Sequence, residues 1–166
     1  MKTSEINILN EIDLFPQVTL NYEVMQLMVA DAKEKSFGIM SWEIEDDSLQ
    51  QNNARFIKLV SALDDFDLGY WIVNGVGQEK NEKGEVRLIK EQSIIIRAPS
   101  FKQMKKLCSA DIAHQSYFIY VGPNNHGLLQ LFDSDGNTYK TWHKMERGLG
   151  SFGYTILPDG SKFRFV

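Results

Sequence analysis

Three observations predict an α+β fold for this chain. Two S-x-x-Q boxes, Ser48–Gln51 and Ser100–Gln103, each open a stretch with apolar residues at helical spacing. Around them lie short aromatic and β-branched runs, bounded by turn-forming residues, that read as strands. From Phe37 onward strand and helix follow in the order β-α-β-β-α-β, the split βαβ arrangement of ferredoxin-like domains. The expected architecture is a single α+β domain over 1–166. It comprises a helical preamble over 1–36, a ferredoxin-like βαββαβ core with a mostly antiparallel sheet over 37–132, and a β-hairpin extension over 133–166.

Each element has its own signal. A short helix is expected from Ser4 to Leu14. Asn21 is a helix N-cap, because a short polar side chain there can accept an orphan amide, and Val24, Leu27, Met28 and Ala32 recur behind it. After Ser48 the apolar stripe is Leu49, Phe56, Leu59, Val60 and Leu63; after Ser100 it is Phe101, Met104, Leu107 and Ile112. Strands are expected at Phe37–Ile44, Tyr70–Val76 and Val86–Arg97, the last two forming a hairpin around a polar turn. Ile94-Ile95-Ile96 and Tyr117–Val121 are unbroken apolar runs, as strands covered on both faces require. Leu128–Phe132 comes after a turn, and Asp133-Ser134-Asp135-Gly136 and Pro158-Asp159-Gly160 mark hairpins in the last forty residues.

Composition narrows the function classes. The net charge of −4 speaks against broad nucleic-acid binding, which relies on clustered bases against phosphates, so nucleic acid is not the expected partner. The charge is unevenly spread: seven acids face two bases between Glu43 and Asp67, and eight bases face three acids between Lys80 and Lys106. Two oppositely charged surfaces, able to steer a partner, are one reading; solvated helix and hairpin faces are the other. Cys108 is the only cysteine, which fits a reducing compartment. Apolar runs reach about five residues. A membrane helix needs roughly 20. Neither export nor membrane insertion is expected.

The motifs that resemble functional sites fail on their spacing. Gly148 to Gly153 spells G-x-G-x-x-G, but Tyr154 to Leu157 then read as a strand, not the helix a dinucleotide loop needs, and the partners of a kinase loop are missing. Asp133 to Asn137 begins like a calcium loop, yet the sixth and twelfth positions hold Thr138 and Lys144 in place of glycine and glutamate. His114, His126 and His143 lack metal-ligand spacing. No cofactor is expected. Ser93 lies two residues from Glu91, and Ser116 two from His114, so each pair shares a strand face without defining a hydrolase.

The middle of the chain carries a further pattern: Phe37-Gly38-Ile39-Met40-Ser41, Asn52-x-x-Arg55, Gly69-Tyr70 with Val73-x-Gly75, Glu91-x-Ser93-Ile94-Ile95-Ile96, and Gln115-Ser116. Over 37–132 it resembles a domain of unknown function shared by small bacterial and bacteriophage proteins. The resemblance implies a cytoplasmic protein whose polar pattern falls on Asn52, Arg55, Glu91, Ser93 and Gln115. Two positions depart from it, Trp42 and His114, and the final thirty residues lie outside it.

These five residues, with Ser116, are the candidate ligand-binding set. Arg55 offers five donors in a planar fork suited to a carboxylate or phosphate, and Glu91 is equally able to be its internal partner. The leading expectation is a non-enzymatic binding protein, a phage or mobile-element accessory factor that engages or inhibits a host or bacterial protein. The first alternative is a small enzyme acting on a nucleotide or other anion, with Arg55 as clamp, Glu91 as general base and Ser93 or Ser116 in support. The second is a structural virion component, suggested by the aromatics Phe152, Tyr154, Phe163 and Phe165.

Overall fold

The computed structural model describes residues 19–148 and 153–166. The expected Ser4–Leu14 helix and the middle of the 148–153 glycine motif lie outside them.

Local capping sets the three α-helices among the described residues. Asn21 caps α1 (Tyr22–Ala30), its side-chain oxygen accepting the Val24 amide at 2.9 Å. Both S-x-x-Q boxes close reciprocally at the starts of α2 (Leu49–Asp65) and α3 (Phe101–Cys108). The serine hydroxyls accept the Gln51 and Gln103 amides at 3.1 and 3.0 Å, and the glutamine oxygens accept the serine amides, each at 2.8 Å. α2 packs through Phe56, Leu59 and Leu63. Leu49, expected on the same stripe, is 77% exposed, because the first turn of α2 buries nothing and only later turns reach the sheet. No helix among the described residues is long and apolar enough to cross a membrane.

The strands are β1 (Phe37–Ser41), β2 (Tyr70–Lys80), β3 (Val86–Arg97), β4 (Tyr117–Val121), β5 (Leu129–Asp133), β6 (Thr138–Trp142), β7 (Met145–Arg147), β8 (Tyr154–Ile156) and β9 (Lys162–Phe165). They form one sheet in the order β6-β5-β4-β1-β3-β2-β8-β9-β7, and every pairing is antiparallel.

This corrects the ferredoxin-like expectation. The α+β content stands, but the described residues form a nine-stranded, curled half-barrel and not a small βαββαβ core with a hairpin appended. The C-terminal residues are part of the sheet itself: β8 pairs along β2, with Asn74 opposite Ile156 and Val76 opposite Tyr154. Periodicity locates strands but says nothing about which open edge a later strand will cover.

The curl is a consequence of connectivity. β6 and β7 are the two edges of the sheet, yet only His143 and Lys144 separate Trp142 from Met145. Flat, nine strands would hold their edges roughly 38 Å apart, at about 4.8 Å per strand. Three Cα steps span at most about 11 Å. The sheet must bend until its edges approach at this point. Trp142 and Phe165 then meet with ring centroids 5.5 Å apart, and the Val166 carbonyl accepts the His143 and Lys144 amides at 2.6 and 3.1 Å.

Alternation assigns a core to each face. On the convex side Met40, Ile94, Ile96, Phe118, Tyr120 and Phe132 pack under α2 and α3. On the concave side Phe37, Ile39, Trp71, Val73, Ile95, Val121, Leu157 and Phe163 pack against Leu20, Met25 and Met28 of the α1 region. All three isoleucines of 94–96 are fully buried, as a strand covered on both faces demands. Two glycines record where the faces are full and where they are not. A Cβ on Gly38 would collide with the Sδ and Cε atoms of Met104, whereas one on Gly77 would meet nothing within 4 Å.

Gly38→Val should therefore destabilise the chain by about 1–3 kcal/mol through overpacking beneath α3. Gly77→Val should leave stability within about 0.5 kcal/mol. Urea midpoints of the two variants check both outcomes.

Candidate functional site

α1 covers only part of the concave face, and the remainder is an open cavity of about 1070 Å³. Register places its polar wall. Ser41 of β1 stands opposite Ser93 of β3, and Glu91, one pleat further along β3, stands opposite Gly75 of β2. Gly77 lies opposite Ile89, so two consecutive inward positions of β2 carry no side chain. Those glycines leave room in front of Glu91. Thr155 of β8 extends the wall past Gly75. Tyr117, Lys140, Trp142 and Phe165 line other parts of the cavity.

Hydrogen bonds hold the wall in shape. The Ser41 hydroxyl donates to the Gln92 carbonyl at 2.7 Å and accepts the Glu43 amide at 3.1 Å. The Glu43 carboxylate accepts the Gln92 amide at 3.2 Å. The Gln115 side chain donates to the carbonyls of Glu43 and Ala113 at 3.3 and 3.1 Å, which ties the chain before β4 to the end of β1. Burial lifts the Glu91 carboxyl above the ordinary glutamate range; the Ser41 hydroxyl pulls it back, and the nearby Glu43 carboxylate lifts it further. Since Ser41 has one hydroxyl proton, the Gln92 carbonyl and the Glu91 carboxyl compete for it.

The candidate residues divide into two groups. Glu91, Ser93, Gln115 and Ser116 line the cavity. Asn52 and Arg55 do not, because α2 carries them against the β1–α2 connection. Arg55 donates from Nε to the Trp42 carbonyl at 2.8 Å, donates to Asn52, and pairs with Asp47 at 2.7 Å. Asn52 in turn accepts the Ile44 amide at 3.0 Å. Arg55 is thus a clamp on residues 42–47, and its ion-pair partner is Asp47 rather than Glu91. Trp42 is buried beside Phe56, ring centroids 4.6 Å apart, and fills space under α2.

Sequence reasoning missed Ser41, Glu43, Gly77 and Thr155. The signal that could have found them was Gly75-x-Gly77: two glycines at strand period 2 empty one face of a strand. Other groups do not contribute. Cys108 is buried on α3, and desolvation pushes its thiol up to about 12, far from a nucleophile. Phe163 is buried, and Tyr154 and Phe165 half-buried, within the chain's own packing. No group of three metal-ligating side chains occurs among the described residues. No protein-family model matches the chain, and no curated protein does either.

Arg55→Ala should cost about 1–3 kcal/mol, because partly buried acceptors on Trp42, Asn52 and Asp47 lose a charged donor. Urea denaturation measures it. The folded chain also holds the Glu91 proton more tightly than the unfolded chain does. Glu91 therefore lowers stability as pH rises from near 4.5 through its raised value. In urea series across that window Glu91→Gln should lose less stability with rising pH than the parent chain.

Proposed function

We propose that this chain is a non-enzymatic binding protein, a phage or mobile-element accessory factor of the cytoplasm. In this reading the open concave cavity is where it holds a bacterial protein. The observation that carries the proposal is the cavity itself. Its wall combines glycines that expose backbone, hydroxyls, carboxyls and aromatic rings, the mixture by which concave sites orient a bound group. A volume near 1070 Å³ suits a short chain segment or a few side chains better than a whole domain face.

Charge supports recognition at this surface more than separate acidic and basic faces do. The acidic and basic segments meet, since Arg87 on the β2–β3 hairpin pairs with Glu45. The enzymatic alternative asked Arg55 to clamp an anion, and that guanidinium is engaged with Trp42, Asn52 and Asp47.

Gly77→Trp tests the proposal, because a Cβ there meets no atom within 4 Å and the indole would extend into the cavity. In crosslinked capture from bacterial lysate, the parent chain should retain one dominant protein, and Gly77→Trp should reduce its yield at least roughly tenfold. Equal capture by a stably folded Gly77→Trp, or no retained protein, would overturn the assignment.

A further inference from the structure

The charges of the cavity are not evenly placed. Glu43 and Glu91 lie together where β1 and β3 run side by side, close enough for the one to disfavour ionisation of the other. No ion pair to Glu91 forms among the described residues. The nearest base along β3 on the same face, Arg87, is taken by Glu45. The cations of the lining stand elsewhere. Arg164 on β9 is held by Glu146 through two contacts at 2.8 and 2.6 Å, and Lys140 on β6 lies 5.5 Å from the Trp142 ring centre. His114 sits in the turn before β4.

The β1–β3 wall is also rich in acceptors. The Glu91 and Glu43 carboxyls are joined by the hydroxyl oxygens of Ser93 and Thr155. An anion would find there two like charges and no cation. A guanidinium has five N–H donors and no acceptor, and pairs in parallel with a carboxylate. The absent side chains at Gly75 and Gly77 let a flat group lie against the strands, and aromatic rings elsewhere in the cavity favour a cation in a partly desolvated space.

We propose that the cavity takes a basic side chain of the partner protein, an arginine by its number of donors, seated against Glu91 and Glu43. This rests on the reading that the cavity is the binding site.

The test uses two blocked tripeptides, acetyl-Gly-Arg-Gly-amide and its citrulline analogue, which replaces the guanidinium with a neutral urea of the same shape. Each is titrated into the isotopically labelled full chain and followed by amide chemical shifts. The arginine peptide should move Gly75, Gly77, Glu91 and Ser93 and bind roughly tenfold or more tightly than the citrulline peptide. Glu91→Gln, nearly isosteric, should remove most of that preference. Equal binding of the two peptides, no shift at these amides, or an undiminished preference in Glu91→Gln would overturn the proposal. If the captured protein is lost with Gly77→Trp while the peptides are not distinguished, the cavity stands as the site and only the arginine assignment falls. Capture indifferent to Gly77→Trp removes both.

Discussion

A link of two residues, His143 and Lys144, governs this architecture. It joins the strands at opposite edges of a nine-stranded sheet, and no flat arrangement can satisfy it. Once the sheet curls, its inner face becomes a concavity, and the remaining choices are about what fills it. α1 and the residue before its cap supply Leu20, Met25 and Met28 to one part. Small and polar residues of β1, β2 and β3 occupy the rest, which stays open. The convex face has no such freedom: α2 and α3 lie on it directly, and Gly38 is bare so that Met104 can fit.

The two faces therefore use glycine for opposite ends. On β1 the missing side chain lets a helix approach and is filled by its neighbour. On β2 the missing side chains leave space, and at Gly77 nothing lies within 4 Å of where a Cβ would stand. Alternation brings these opposite uses onto strands of one sheet and separates a packing position from a cavity position. Position in the chain sorts the carboxyls. Glu91 points inward beside Ser41 and Glu43, while Asp47 serves Arg55 at the start of α2.

Much of the local structure was legible in the residues. Ser48–Gln51 and Ser100–Gln103 announce helix starts because a capping box is a contact over three positions, and such contacts are written in the sequence that makes them. The isoleucines 94–96 announce a doubly covered strand for the same reason. The sheet's true size was not legible, since Asn74 meets Ile156 only after the chain has passed through α3 and five further strands. The candidate site was half legible. Glu91 and Ser93 share a face by spacing alone, but whether Arg55 would reach that face depended on which side of the sheet α2 would cover. Asp47, eight positions before Arg55, is its partner, and nothing in the motif distinguished it from Glu91.

The separation between paired strands also bears on the order of assembly. β2 and β3 form a hairpin across a short turn, whereas β2 and β8 must close a loop of roughly eighty residues. Loop closure of that length is entropically costly and slow, so local hairpins and capped helices are expected to form before the β2–β8 seam. The wall bearing Glu91 is thus built early, but it becomes the inside of something only when the C-terminal strands arrive. A group bound in the concavity that touches Thr155 of β8 as well as Glu91 spans this seam, so its binding energy adds to the stability of the closed sheet.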